Sequence, residues 1–354
     1  MKLGLGLYRH QLDEPHFRFA RQCGCTHLVV HLVDYFRSAE GNRPGDQPVG
    51  GDAGWGRAGD PGRLWSCEEL LALKRQINAA GLLWEAIENF DPAHWHDVLL
   101  DGPRKAEQLE NLKTIIRAVG RAGIPMIGYN FSLAGVAGRV KGPFARGGAE
   151  AVGMDGPVNQ PMPAGMVWNM IYDPGASPGT VPPATPEQLW RRLADFLDAV
   201  IPAAEEAGVT LAAHPDDPPL PTVRGQPRLV YQPHLYQKLL DLKPSPRNQL
   251  EFCVGTLAEM TGGDVYEAAD QYSRQGKLAY VHCRNVRGKV PHYRETFIDE
   301  GDVDMHRVLR ILKHNGFDGV LIPDHAPQIT CAAPWHAGMA YTLGYLQAAL
   351  QSLK

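Results

Sequence analysis

No stretch of this chain comes near the roughly 20 consecutive apolar residues that span a bilayer, and no run rich in Lys or Arg occurs anywhere in it. The first absence argues against a membrane-spanning helix. The second removes the basic footprint that binding to nucleic acid requires. The charge balance agrees: 35 Lys and Arg stand against 39 Asp and Glu, a formal net charge of -4. Cysteine is also scarce. The six thiols, Cys23, Cys25, Cys67, Cys253, Cys283 and Cys331, show no disulfide-framework spacing, so reduced cysteines are expected. Cys23 and Cys25 are too close along the chain to chelate well alone, and burial is the reading for that pair. The N-terminus opens into the strand-like run Leu3 to Tyr8 rather than a basic leader and an apolar core. A cytoplasmic location follows as the expectation.

What is present is an ordinary globular composition, 44% hydrophobic and 21% charged with both signs mixed, which predicts a packed core. Short β-branched or aliphatic runs alternate with longer helix-like segments eight times. The strand candidates are Leu3 to Tyr8, His27 to Val33, Leu82 to Glu88, Met126 to Phe131, Thr210 to His214, Gln249 to Val254, Leu278 to Arg284 and Gly319 to Pro323. Most are nearly continuous apolar runs, as parallel strands covered on both faces are. The helix-like segments are Pro15 to Gln22, Cys67 to Ala80, Arg104 to Ala122, Pro186 to Ala207, His234 to Leu242, Val265 to Arg274, Asp304 to His314 and His336 to Leu353. Eight strands each followed by a helix predict an α/β fold, a (β/α)8 TIM barrel, with residues 1–354 as one domain.

Local chemistry fixes several boundaries. Thr185, Pro186 and Gln188 combine an N-cap threonine, a proline at the first helical position and a glutamine at the third, a capping box. Gly123, Gly208 and Gly316 fall just past helix ends, before the next strand. Two connections are long and rich in Gly and Pro, Asp34 to Ser66 after strand two and Ser132 to Ala184 after strand four. Both lie on the side where β-to-α loops build an active site, and they are expected to act as lids.

His214, Cys253, His282 and Asp324 end candidate strands five to eight. In a barrel, strand carboxyl ends converge on one mouth, so four consecutive strands can aim these side chains at one ion. Any one of them alone reads as an ordinary buried or hydrogen-bonded residue; at equivalent positions of successive units they read as ligands. Two imidazoles, a thiolate and a carboxylate suit Mn2+, Fe2+, Co2+ or Zn2+ rather than Mg2+ or Ca2+.

The motifs HPDDPP at His214 to Pro219, FCVGTL around Cys253, VHCRNV at Val281 to Val286, GDVDM at Gly301 to Met305 and IPDH at Ile322 to His325 resemble the mannonate dehydratase family. Their order and the approach PAAEEAGV at Pro202 to Val209 belong to the same resemblance, which covers the second half of the chain; the first half carries no comparably diagnostic motif. The resemblance implies a xylose-isomerase-like barrel and a metal-dependent carbon-oxygen lyase. Its reaction converts D-mannonate to 2-keto-3-deoxy-D-gluconate and water by α-proton abstraction and β-elimination. It further implies His214, Cys253, His282 and Asp324 as metal ligands, with Mn2+ or Fe2+ as the ion. The alternative is a sugar isomerase, an epimerase or another lyase on the same metal-dependent barrel. The expected partner is a small-molecule sugar acid, with no nucleic acid and no membrane; a homo-oligomer stays open.

Several further residues are candidates. His325 follows a proposed ligand and, as an imidazole, is the side-chain type best suited to acid/base catalysis near neutral pH, or it supports Asp324. Arg284 lies two residues after His282, where its fork would face the same side and grip a carboxylate. Asp216 and Asp217 follow His214 among prolines, to orient ligands, bind sugar hydroxyls or shape a turn. Glu85, Glu88, Asn130 and His292 are polar candidates near strand ends or in the loop after strand seven. Two positions depart from the family pattern: Ile322 stands where an arginine often precedes PDH, and Pro334-Trp335-His336 stands where a tyrosine-bearing segment is expected. His336 is the candidate replacement for that tyrosine in catalysis, with Tyr341 the other source of a phenol.

Overall fold

The computed structural model describes residues 1–38, 47–49, 51 and 53–353. Residues 39–46, 50 and 52 of the long connection after strand two, and the terminal Lys354 of the expected domain, lie outside the described residues.

Eight parallel strands close on themselves in chain order: β1 (Lys2–Leu7), β2 (His27–Val30), β3 (Leu83–Glu88), β4 (Met126–Tyr129), β5 (Thr210–Ala213), β6 (Asn248–Cys253), β7 (Leu278–His282) and β8 (Val320–Ile322). The closure is the pairing of β8 with β1, where Lys2 faces Val320 and Leu3 faces Leu321. The eight long helices are α1 (Glu14–Gln22), α2 (Cys67–Ala79), α3 (Lys105–Arg121), α4 (Pro186–Ala207), α5 (Leu235–Leu242), α6 (Val265–Arg274), α7 (Met305–His314) and α8 (Pro334–Ser352). The helices start where side chains replace the missing backbone acceptors of a first turn. Thr185 and Gln188 form the expected capping box on α4, Ser66 and Glu69 form another on α2, and Gly208 ends α4 at a φ of 70°. Among the described residues no helix is long and apolar enough to cross a membrane.

Side chains alternate between two environments along each strand, and this alternation builds the site. Outward residues such as Leu28, Val30, Leu211 and Phe252 pack into the main core between strands and helices. Inward residues Val29, Ala86, Ala212, Tyr280, Val320 and Ile322 form an apolar plug inside the barrel. Two residues further along the same inward phase come His31, Glu88, His214, His282 and Asp324, so the polar layer sits directly above the plug. Ile322 belongs to the plug, where it lies over Gly4 and Gly6 of β1.

The long connection after β4 is more ordered than a loop. Arg139–Ala145 pairs antiparallel with Ala149–Asp155, which pairs with His292–Thr296, which pairs with Asn285–Lys289. This four-stranded sheet joins the insertion after β4 to an insertion after β7. A smaller sheet links Gly56–Arg57 to Met170–Ile171 and Met166–Val167.

Candidate metal centre

Cys253 and His282 end neighbouring strands and face each other in register, and the same row reaches Ile322, two residues before Asp324. His214 follows β5 directly and donates its backbone N–H to the Tyr129 carbonyl. One ligand atom each of His214, Cys253 and His282 lies within 4.8 Å of the others. Asp324 Oδ2 lies 3.5 Å from His282 Nδ1 and 3.8 Å from Cys253 Sγ. Asp324 is held at a φ of 63°, a left-handed conformation uncommon outside glycine and often associated with a functional constraint. The four expected ligands are therefore brought together.

The hydrogen bonds around them select the tautomers. His214 Nδ1 lies 2.7 Å from the Pro215 carbonyl oxygen; an oxygen of that kind only accepts, so Nδ1 carries the proton and Nε2 presents a lone pair. His282 turns Nε2 toward Glu251 Oε1 at 3.1 Å and Glu88 Oε2 at 3.5 Å, leaving Nδ1 on the side of Asp324. The 3.1 Å contact is short enough but misdirected for a hydrogen bond. Both His282 ring nitrogens, both Glu251 carboxylate oxygens and Glu88 Oε2 are buried without a hydrogen-bond partner. Buried polar atoms left unsatisfied in such a cluster need an explanation: a divalent cation held by the His282, Cys253, His214 and Asp324 donors would take up His282 Nδ1, while Glu88, Glu251 and His282 form a second buried group whose ligand atoms also lie within 4.8 Å of one another.

Electrostatics favour the ligating forms of sulfur and carboxylate. Burial works against the Cys253 thiolate, but the Arg284 charge and the neighbouring His214 and His282 imidazoles outweigh it and hold the thiol well below its ordinary value. Burial likewise opposes ionised Asp324, and His325, His282 and Arg284 overcome it. Two glycines give these groups room. A Cβ on Gly128 would stand 2.2 Å from Glu251 Oε2, and one on Gly255 would stand 2.7 Å from Arg284 Nε.

The remaining candidates divide. His325 lines the cavity, with Nδ1 3.2 Å from Glu295 Oε1 and Nε2 3.2 Å from Asp324 Oδ1. Asn130 lines it too, but its Nδ2 donates to the Pro215 carbonyl at 3.1 Å and its Oδ1 accepts from Trp168 Nε1 at 3.3 Å. That amide is committed to holding the segment after His214.

The other candidates, except Asp217 and Glu88, lie off the cavity. Arg284 is 1% exposed, and its guanidinium is spent on Asp217, Glu259, Glu295, Thr256 and Asp324. It fixes the site from behind, with its Nε 3.2 Å from Asp324 Oδ2, and it does not line the cavity. Asp216 turns away, accepting from the backbone N–H groups of Leu229 and Val230 and pairing with Arg228 at 2.9 Å; its neighbour Asp217 is the one that lines the cavity. His292 is exposed on the outer sheet opposite Asp155. His336 projects from α8 toward α1, with its ring 5.4 Å from that of His16 and 4.8 Å from that of Phe19. Tyr341 is 40% exposed and meets Arg146. Glu85 pairs with His27 at 3.8 Å toward the amino ends of the strands.

Glu88, a candidate from the sequence, lines the cavity together with residues the sequence did not single out. Its walls include Tyr8, His31, Tyr35, Glu88, Trp168 and Arg139. Tyr35 hydroxyl lies 3.0 Å from His31 Nδ1 and accepts from Asn89 Nδ2 at 3.1 Å, while His31 Nε2 lies 3.5 Å from Glu88 Oε2. His31 directly follows β2 and shares the inward phase of Val29, a signal legible in the run HLVVH. Nothing in the sequence around Arg139 announced its place. A larger cavity of about 410 Å³ opens beside Arg9, Arg37 and Trp65, and none of the strand-end candidates reaches it.

The family described as D-mannonate dehydratase (UxuA) matches residues 46–143 and 183–353. Mannonate dehydratases of Streptococcus equi subsp. zooepidemicus and Streptococcus pneumoniae are each 31% identical to this chain, over 281 and 283 residues, covering 76% of this chain and 76% of each relative. The crystal structure of mannonate dehydratase from Streptococcus suis serotype 2 superposes with a TM-score of 0.73 at 25% identity, covering 100% of this chain and 94% of that one. A structure of L-ribulose 3-epimerase, 15% identical with a TM-score of 0.57 over 99% of this chain and 95% of that one, shares the fold.

Proposed function

The chain belongs to the D-mannonate dehydratase family of hydro-lyases, and from that membership we propose a metal-dependent sugar-acid dehydratase that converts D-mannonate to 2-keto-3-deoxy-D-gluconate and water. The observation that carries the metal half of this reading is the donor set of His214, Cys253 and His282, with ligand atoms within 4.8 Å of one another and Asp324 beside them. His214 Nε2, Cys253 Sγ, His282 Nδ1 and the Asp324 carboxylate would hold the ion, with Mn2+ or Fe2+ the first choice and Co2+ or Zn2+ compatible with the same donors. A divalent cation bound there supplies the positive charge that makes removal of a proton beside a carboxylate feasible near neutral pH.

The elimination needs a group that takes the C2 proton and one that gives a proton to the departing C3 hydroxyl. His325 is one of the pair. Glu295 Oε1 lies 3.2 Å from its Nδ1, and its Nε2, 3.2 Å from Asp324 Oδ1, is the atom that would exchange a proton on the cavity side. Tyr35 is the other. Burial and the Glu88 charge push its phenol well above the ordinary value, so it keeps its proton until a stronger base develops nearby, and the His31–Glu88 pair behind it can restore that proton. Tyr8, Trp55 and Trp168 supply ring faces against which the carbon chain of a sugar acid packs, and they keep bulk water from the reacting carbons.

The test is metal analysis with a product assay. Protein loaded with Mn2+ or Fe2+ is expected to retain stoichiometric metal and to form a 2-keto-3-deoxy product from D-mannonate. Cys253→Ser and Asp324→Asn should lose metal, whereas Tyr35→Phe should keep metal and lose roughly 100-fold or more in kcat. A folded wild-type protein that takes up none of the four ions sinks the metal half. Metal-loaded protein that leaves D-mannonate untouched but interconverts sugars moves the reading to an isomerase or epimerase.

A further inference from the structure

We infer that Arg139 is the residue that recognises the substrate's carboxylate, and so makes this cavity select a sugar acid over the corresponding neutral sugar. The inference rests on the dehydratase reading above. Among the described residues, Arg139 is the only arginine or lysine that lines the cavity containing His214, His282 and Asp324. Arg284 and Arg228, also buried nearby, do not line it: Arg284 meets Asp217, Glu259, Glu295 and Asp324, and Arg228 meets Asp216 and the backbone.

Arg139 is built differently. It is 8% exposed, it forms one ion pair, with Asp217 through Nη2, and its Nε is buried with no hydrogen-bond partner. Asp217 cannot neutralise it fully, because the same Oδ2 also accepts from Arg284 Nη2 at 2.9 Å and Thr256 Oγ1 at 3.2 Å. A guanidinium with an unspent donor in a low-dielectric cavity is costly unless an anion completes it. A carboxylate matches the planar fork of its donors. Asp217 belongs to the same short segment as His214, so the anchor that aims Arg139 is tied to a proposed ligand three residues away. The strand that carries Arg139, Arg139–Ala145, is part of the insertion after β4, which places acid recognition on that insertion and leaves the barrel strands to hold the metal ligands.

The experiment uses the metal-loaded full chain, Arg139→Gln and Arg139→Lys, with D-mannonate as substrate and D-mannitol, its uncharged counterpart, as competitor. In Arg139→Gln the KM for D-mannonate is expected to rise roughly 10- to 100-fold while kcat changes less than about 5-fold; Arg139→Lys, which keeps a cation against Asp217 but loses the fork, should fall between it and wild type. Inhibition by D-mannitol and metal content should stay at the wild-type level. An unchanged KM in either folded variant overturns the inference. So does a parallel weakening of D-mannitol, which marks a purely structural ion pair. If Arg139→Gln fails to fold, Arg139→Lys decides alone by the same criteria. If wild type shows no dehydration, the dehydratase reading has failed on its own. Thermal-shift titration of wild type and Arg139→Lys with the same two compounds then tests Arg139: an unchanged preference for the acid overturns its role.

Discussion

Arg284 puts one permanent charge into a space with almost no water, and four carboxyl groups gather on it. Burial pushes Glu259 well above its ordinary value against the pull of Arg284, so Asp217, Glu295 and Asp324 carry most of the opposing charge. Removing such a cation leaves buried anions without a partner, a loss of about 3–5 kcal/mol. Arg284→Met is therefore expected to lower unfolding stability by that amount and to weaken metal binding, read by urea denaturation and by metal titration. Glu88 acts on the other side of the centre. Its Oε2 lies 3.5 Å from both His31 Nε2 and His282 Nε2, where a carboxylate orients an imidazole whose other nitrogen binds metal. Glu88→Gln keeps the shape and removes the charge; metal affinity should fall about 10- to 100-fold with the fold intact, and an unchanged titration curve would reject the orienting role. The four proposed strand-end ligands were legible because each interrupts an apolar run at its end. Glu251, Glu295 and Arg139 were not, because their importance comes from neighbours 11 to 78 positions away, Arg284 for Glu295, His282 for Glu251 and Asp217 for Arg139.

At the scale of elements, the helices behaved as their end residues dictate. The capping box of Thr185 and Gln188 is present with both reciprocal hydrogen bonds. Thr185→Ala should cost about 1 kcal/mol, seen as a lower urea midpoint at constant slope, with no change in metal content or turnover. The errors also have an element-level cause. Spacing along α8 puts His336 one residue after Trp335, about 100° further round the helix. Both rings meet His16 and Phe19 of α1, but Trp335 also lines a small cavity shared with Asp324 and Glu88, which His336 does not reach. The sheet formed by the insertions after β4 and β7 escaped notice because its strands are polar and glycine-rich, without the apolar alternation of half-buried strands. Pairing between residues 137 positions apart, as Asp155 and His292, leaves no local trace.

For the whole molecule, the proposed ion would bind only where four strands have come together, so it binds the folded chain and stabilises it. At a free metal concentration of 100 times Kd the gain is about 2.7 kcal/mol; chelation should lower Tm by several degrees and readdition should restore it. Acid acts through the same buried cluster. Burial opposes ionised Asp217, but Arg139, Arg284 and His214 outweigh it and bring the carboxyl from 3.8 down to about 2. A depressed carboxylate contributes stability that is complete above its unfolded value and is lost as pH falls through the folded one, here about 2 kcal/mol between pH 4 and 2. Asp217→Asn should flatten the acid limb of a stability-versus-pH curve measured on metal-free protein; an identical limb would count against the assignment.

The order of apolar runs, caps and glycine stops was enough to determine eight strands, eight helices and the polar residue closing each of strands five to eight, because these are local properties of strand burial and helix ends. Tertiary structure decided which polar residues share one cavity. Closure of β8 on β1 and the two-residue inward phase raised His31 and Glu88 to the level of His282, the plug absorbed Ile322, and a sheet assembled from two insertions brought Arg139 to the mouth while it consumed Arg284 beneath. Those outcomes depend on which side chains become neighbours after closure, and electrostatic demand in a dry interior is set by neighbours in space.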